Sequence, residues 1–227
     1  MPKSAMVYAS CVSAAGLLVL VHALASLHIG NLPLLFTYMA FGLAVATLKV
    51  PLPGLAGTIT GSFVFVLAAC AQLSAAETVL IGGASAAVQC LWKPKRALAP
   101  IQVAFSVSVL MIASSSTYFM THAVLGKTPG VTVLAFTALG VTVLFGVNST
   151  LVAIVLCFAQ GQPLTRVYRQ YNVWAFPYYL IGSVIAAGLI SITAGMGWMV
   201  AITAFPMLYS LFACYEFMTL RLSPAQN

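Results

Sequence analysis

A proline- and glycine-rich segment at 49–62 contains the side chains best suited to binding a small molecule. Its prolines interrupt a helix because proline lacks an amide hydrogen and clashes with the preceding turn. Thr58, Thr60 and Ser62 follow the prolines, so a broken helix would present their hydroxyl groups to a ligand. The alternative is a tight helix start, in which the glycines of the segment allow close contact with a neighbouring helix. The sequence leaves both interpretations open.

Three further polar side chains extend this predicted ligand-binding set. Gln89 and Gln102 flank the basic segment 93–96, and Asn148 lies inside a long apolar run. Polar residues within membrane segments commonly mark binding sites or transport pathways. Each of the three can also form a hydrogen bond between helices, and for any one of them alone that structural role is the favoured interpretation.

The three histidines, His22, His28 and His122, are candidates for a metal, haem or pigment site, because histidine is the commonest metal ligand and a common haem ligand. Their spacing matches no ligand motif, and no two of them lie four residues apart on one helix. We therefore predict no metal centre. The sequence leaves the identity of any cofactor open.

No constellation of residues indicates an enzymatic mechanism. The acidic residues are Glu77 and Glu216 alone, and they do not form the carboxylate pair that an intramembrane aspartyl mechanism needs. Neither the HExxH metal-binding motif nor a CxxC pair occurs. We therefore expect a protein that is not an enzyme.

The composition indicates a lipid environment. Of the 227 residues, 62% are hydrophobic and 5% are charged, whereas a soluble domain carries about 25% charged residues. Repeated apolar runs approach the length of a bilayer crossing, and helices satisfy their own backbone hydrogen bonds in lipid. The net charge of +7 comes from basic residues scattered among loops. This pattern argues against nucleic-acid binding and favours contact with membrane lipid headgroups.

The apolar runs predict an all-α, polytopic integral membrane bundle of about eight transmembrane helices. The third and fourth are short, and the number falls to six if they form a re-entrant pair. The sixth would be about 43 Å long as one helix. Because the hydrocarbon core is about 30 Å thick, we expect this helix to tilt, to protrude, or to bend at Gly140 or Gly146. The predicted helices cover residues 6–27, 33–49, 58–73, 76–92, 101–122, 131–159, 173–191 and 197–220.

The basic residues predict the orientation of the chain. With the N-terminus in the cytoplasm, eight of the nine Lys and Arg residues fall in cytoplasmic segments and Lys127 falls outside, in agreement with the positive-inside rule. Both termini are then cytoplasmic. Residues 1–227 are predicted to form one transmembrane domain, with a polar loop at 161–172. In the fourth helix, we expect Ser74 to cap the first turn and Glu77 to be its acidic residue.

Several short motifs follow one another in an order that resembles a known family. The family comprises the multi-helix N-terminal membrane regions of bacterial cyclic-di-GMP signalling proteins that carry HD-GYP or GGDEF output domains. The resemblance extends over about residues 45–215. The motifs are LKVPLPGLAGTIT at 48–60, VQCLWKPKR at 88–96, QVAFS at 102–106, NSTLV at 148–152, GQPL at 161–164 and WAFPYYLIG at 174–182.

The resemblance implies a membrane sensor region of the bacterial inner membrane whose last helix leads to a cytoplasmic output domain. No GGDEF, EAL or HD-GYP residues occur in this chain, so we do not expect it to make or degrade the nucleotide. The leading prediction is a non-enzymatic sensor-like or ligand-binding module that signals to a protein partner at the cytoplasmic face or within the membrane. The alternatives are a structural accessory subunit of a larger membrane complex, and a small-molecule transporter or its substrate-binding subunit.

Overall fold

The structure, a computed structural model, describes residues 2–51, 58–94, 98–126 and 132–196. Within these ranges the chain forms seven α-helices and one antiparallel ribbon of two short strands, β1 and β2, so the predicted all-α class is confirmed. The elements are α1 (Lys3–Ala25), α2 (Leu32–Ala46), β1 (Val50–Pro51), β2 (Thr58–Ile59), α3 (Phe63–Gln72), α4 (Ala75–Leu91), α5 (Pro100–Leu125), α6 (Val133–Gln160) and α7 (Leu164–Met196).

Four segments are long and apolar enough to cross a membrane: Lys3–Ala25, Pro100–Leu125, Val133–Gln160 and Ala175–Ala194. These findings support a multi-pass membrane protein with four candidate spans, whereas the sequence predicted about eight. The difference arises in α2, α3 and α4, which are apolar but have only 15, 10 and 17 residues. The predicted eighth helix lies outside the described residues.

Side-chain contacts give the relative directions of the helices around α5. The Tyr8 ring of α1 lies 6.3 Å from the Phe105 ring, and further along both helices the Ser108 hydroxyl donates to the Ser13 carbonyl at 3.4 Å. The two helices are therefore parallel. Helix α6 runs the other way, because its N-terminal half faces the C-terminal half of α5: a Cβ atom on Gly140 would lie 3.6 Å from the Thr121 methyl group.

The same reasoning orients the short helix α3. A Cβ atom on Gly182 of α7 would contact the Phe63 ring, and the Gln72 amide donates to the Ile190 carbonyl at 3.2 Å. Helices α3 and α7 are therefore parallel. Because Gly182 lies near the middle of the apolar segment Ala175–Ala194, α3 begins level with the middle of that segment of α7.

One end of the bundle gathers basic residues. Helix α1 begins there and α4 ends there, since α4 is antiparallel to α5: its Gly83 faces Met111, and its Cys90 thiol contacts the Ser106 hydroxyl. The Lys49 ammonium group donates to the Trp92 carbonyl at this end. We call it the basic end; the described Lys and Arg residues in the segments at this end are Lys3, Lys49, Lys93, Arg166 and Arg169.

Two predictions about the second half of the chain need correction or refinement. The predicted loop at 161–172 is wrong in extent, because α7 already begins at Leu164. Gly161 ends α6 in the left-handed conformation, with φ of 65°, so three residues suffice for the turn. Helix α6 is one continuous helix of 28 residues. At Gly140 the helix makes a close contact, because a Cβ atom there would lie 3.1 Å from the Leu67 side chain. A Cβ atom at Gly146 would meet no atom within 4 Å.

Helix α3 forms the centre of the bundle. Every residue from Phe63 to Cys70 is buried, although a helix at a protein surface buries only one face. The surrounding helices are α2, α4, α5, α6 and α7, which contribute Tyr38, Ile81, Ala113, Leu144 and Tyr178 to the same core. A buried helix of ten residues therefore separates two groups of polar side chains, one at each of its ends.

Candidate functional site

The N-terminal end of α3 brings together three of the six side chains predicted to bind a ligand. The hydroxyl oxygens of Thr60 and Ser62 are 2.9 Å apart, and the Thr60 hydroxyl donates to the Gln89 side-chain oxygen at 3.4 Å. Both residues are buried: Thr60 is 5% exposed and Ser62 is 3% exposed. We call these three residues the basic-end cluster, because Gln89 lies on the last turn and a half of α4, which ends there.

The ribbon and the start of α3 explain why these hydroxyl groups meet. Strands β1 and β2 pair with Val50 opposite Ile59, so the chain reverses just before Thr60. The backbone carbonyl of Ser62 accepts from the Phe65 amide at 3.1 Å, while its side chain forms no cap hydrogen bond. The Ser62 hydroxyl is thus available to Thr60. Hydroxyl and amide groups both donate and accept, so the cluster can exchange its internal hydrogen bonds for those of a neutral polar ligand.

Of the other predicted site residues, Gln102 and Asn148 do not join this cluster. Thr58 lies on β2, where its backbone is opposite Pro51. The Gln102 side chain accepts from the Ala99 amide at 2.9 Å and so caps α5. Asn148 is half-buried on α6, and within the described residues no hydrogen bond joins it to the cluster. Its helix contacts α3 near Leu144 and Gly140, farther toward the opposite end of the bundle.

A second polar group at the C-terminal end of α3 was not predicted. The Gln72 amide nitrogen donates to the Thr193 hydroxyl at 2.9 Å, and the Tyr38 hydroxyl donates to the Gln72 side-chain oxygen. The Tyr38 and Thr193 hydroxyl oxygens are 3.2 Å apart. We call Tyr38, Gln72 and Thr193 the opposite-end cluster. The only sequence signal was a glutamine at the end of an apolar run, which did not identify its partners on α2 and α7.

The turn between α3 and α4 confirms the prediction for Ser74 and Glu77. The Glu77 Oε2 atom accepts from the Ser74 amide at 2.8 Å and from the Ser74 hydroxyl at 2.7 Å. The Glu77 amide donates back to the Ser74 hydroxyl at 3.3 Å, which completes a capping box. Glu77 is 1% exposed. Its Oε1 atom is buried and accepts no hydrogen bond in the described part of the chain.

The histidines lie apart from both clusters. His22 and His28 are exposed. His122 stacks on Tyr118, with ring centroids 4.0 Å apart, and its Nδ1 atom lies 2.8 Å from the Tyr118 carbonyl oxygen. Among the described residues, no three His, Cys, Asp or Glu side chains are grouped closely enough to hold a metal ion. The stacking on Tyr118 accounts for the packing of His122.

Comparisons with known proteins give no assignment. No protein-family model, curated protein or solved structure matches the chain. The resemblance to membrane regions of cyclic-di-GMP signalling proteins stays a sequence-based hypothesis. Any function has to be argued from the chain's own residues.

Proposed function

We propose that the protein is a non-enzymatic, multi-pass membrane module of sensor type that binds a small neutral polar ligand at the basic-end cluster. The supporting observation is the meeting of Thr60, Ser62 and Gln89 at the point where a buried helix begins. Polar side chains at such a depth are costly unless they are hydrogen-bonded. Because these groups both donate and accept hydrogen bonds, they can bond to one another when the site is empty and to a ligand when it is occupied.

The proposal includes a bacterial inner membrane location and cytoplasmic termini. The grouping of the described basic residues at one end of the bundle supports a cytoplasmic basic end through the positive-inside rule. Exposed apolar side chains on α1, such as Leu18 with 71% of its surface exposed, would contact membrane lipid.

The signalling step depends on the position of the cluster. Thr60 and Ser62 immediately precede α3, and Gln89 belongs to α4. A ligand that binds one packing of α3 against α4 more tightly than another would shift the population between the two packings. The Lys49–Trp92 hydrogen bond joins the chain before β1 to the end of α4. It offers a route from the cluster to a protein partner at the cytoplasmic face.

The test begins with the small molecules that stay bound after purification of the full chain in mild detergent. This pool is released by heat, identified by mass spectrometry and added back while the melting temperature is measured. We expect the wild-type protein to be stabilised and Thr60→Ala to lose that stabilisation. The matched control is Thr142→Ala. The Thr142 hydroxyl is exposed and, within the described part of the chain, bonds only to the Ala138 carbonyl of its own helix. Equal shifts in both variants would contradict the proposal.

A second candidate, transport of a small molecule, is favoured by one observation. Polar clusters lie at both ends of α3, and interrupted helices near such groups are typical of substrate sites in transporters. Uptake of the identified compound into proteoliposomes, with loss of uptake in Thr60→Ala, would favour transport over sensing. If no compound co-purifies and a stoichiometric protein partner does, the accessory-subunit alternative would replace both.

A further inference from the structure

The turn between α3 and α4 carries a buried carboxylate with one unused oxygen atom. Glu77 is the acidic residue of the described chain, and it is 1% exposed. Both hydrogen bonds to its side chain come from Ser74 and go to Oε2. The Oε1 atom has no hydrogen-bond partner in the described ranges. Burial of an ionised carboxylate is costly unless a partner compensates its charge. In the described ranges, the N-terminal dipole of α4 is the compensating group beside Glu77, and Oε1 has no hydrogen-bond donor.

A second observation concerns the backbone beside this carboxylate. The Leu73 amide bonds to the Ala69 carbonyl at 2.8 Å, which is the last backbone hydrogen bond of α3. The Ser74 amide, the next donor along the chain, is taken by Glu77. As a result, the final three carbonyls of α3 accept no backbone hydrogen bond within the described residues; they belong to Cys70, Ala71 and Gln72.

The carboxylate and the carbonyls occupy one compact turn. The Cys70 thiol contacts the Thr78 hydroxyl, so the last turn of α3 packs against the first turn of α4. Free carbonyls at a helix C-terminus carry the negative end of the helix dipole. Glu77 and these carbonyls lie on the two sides of one turn, the carboxylate in the first turn of α4 and the carbonyls in the last turn of α3. In the described ranges, no Lys, Arg or His side chain forms a salt bridge with Glu77. Its neighbours in the same turn are apolar: Ala76 and Val79 pack with Ala23 and Met111.

We propose that this turn binds a monovalent metal cation of the size of Na⁺, with Glu77 Oε1 and the terminal α3 carbonyls as ligands. Ends of interrupted helices and unwound carbonyls bind such ions in membrane proteins. A divalent ion of the calcium or magnesium class prefers more oxygen ligands or retained water, whereas one carboxylate with carbonyl dipoles matches a single positive charge.

The test uses Na⁺ itself and the full chain in detergent. The melting temperature is measured as NaCl replaces choline chloride at constant ionic strength and pH, with KCl as the size control. We expect a saturable rise of about 5 °C with Na⁺ at concentrations far above the Kd, and a smaller rise with K⁺. Equilibrium binding of radioactive ²²Na⁺ to the wild-type protein should show one site.

Two variants separate ion binding from capping. Glu77→Gln keeps an acceptor for the Ser74 amide, as capping boxes allow, but removes the charge, so we expect it to lose both the Na⁺-dependent shift and ²²Na⁺ binding. Ser74→Ala removes the cap hydroxyl but keeps the carboxylate, so we expect a lower melting temperature with the Na⁺ response retained. The absence of ²²Na⁺ binding to the wild type, a response to pH without one to Na⁺, or an unchanged response in Glu77→Gln would overturn the proposal.

Discussion

The two ends of α3 differ in how their polar groups are satisfied. At the basic end, Thr60 and Ser62 bond to each other, and Thr60 also bonds to Gln89, so the described groups are neutral and mutually paired. At the opposite end, the tyrosine, glutamine and threonine of the second cluster are paired in the same way, but Glu77 retains a buried oxygen without a partner. The basic end is suited to exchanging neutral hydrogen bonds, and the opposite end to compensating a charge.

This difference also predicts different responses to solution conditions. Hydrogen bonds between neutral groups depend little on salt, whereas a buried charge responds to the ion that compensates it. Ligand binding by the basic-end cluster should therefore be the same in NaCl and in choline chloride. The melting temperature, in contrast, should depend on which of the two salts is present, through Glu77. The buried apolar residues of α3 link the two ends through one helix, but they contribute no side-chain hydrogen bonds between the two polar groups.

The largest expected effect comes from the middle of α3, which supports both ends. Phe65 is fully buried, and its ring centroid lies 6.2 Å from that of Tyr38 and 6.1 Å from that of Phe41. Phe65→Ala should lower the free energy of unfolding by about 3–5 kcal/mol, because it opens a cavity in the core. Reversible denaturation in mixed detergent measures the change.

The control for this variant is Phe36→Ala on α2, whose side chain is 64% exposed. We expect its effect to stay below about 0.5 kcal/mol, as for other exposed positions. Similar losses in the two variants would mean that burial of α3 is not the main source of stability in the described bundle.

A smaller effect is expected at the basic end of α3. A Cβ atom on Gly182 would lie 2.1 Å from the Phe63 ring, and that ring is held by stacking on Tyr179 at 4.4 Å. Gly182→Ala should therefore cost about 1–3 kcal/mol through overpacking, and it should weaken the response to the small-molecule pool because Phe63 directly follows Ser62. Thermal unfolding with and without that pool measures both.

Gly188→Ala is the matched control on the same helix. A Cβ atom there meets no atom within 4 Å, so the change should be neutral or stabilising by up to about 1 kcal/mol through helix propensity. A loss at Gly188 equal to that at Gly182 would show that the glycines act through the helix backbone rather than through Phe63.

Local signals explain what the sequence could predict. Ser74 and Glu77 are three residues apart, so their capping box follows from spacing alone. The continuous apolar run likewise predicted the length of α6 to within a few residues. The prolines before Thr60 indicated a helix break, and Ser62 lies close enough in the chain to share it. These features need no knowledge of how the helices pack.

Long-range packing explains what could not be predicted. Gln72 is separated by 34 residues from Tyr38 and by 121 from Thr193, and hydrophobic periodicity does not fix the rotation of one helix against another. Asn148, inside an apolar run, and Gln89, beside the basic segment, were both predicted to bind a ligand, yet of the two only Gln89 bonds to Thr60 in the described structure. The count of spans was also overestimated, because apolar composition alone does not show that a helix of ten residues is enclosed by its neighbours.

The smallest expected effect tests whether the opposite-end cluster is a structural joint. Gln72→Leu removes the hydrogen bonds to Thr193 and to the Ile190 carbonyl, at a cost of about 0.5–1.5 kcal/mol. Because Tyr38 and Gln72 share a hydrogen bond, Tyr38→Phe combined with Gln72→Leu should cost less than the sum of the single changes in denaturation measurements. Strict additivity would mean that the two side chains are not coupled. The Na⁺ response should persist in Gln72→Leu, since the proposed site uses the backbone carbonyl of residue 72 and not its side chain.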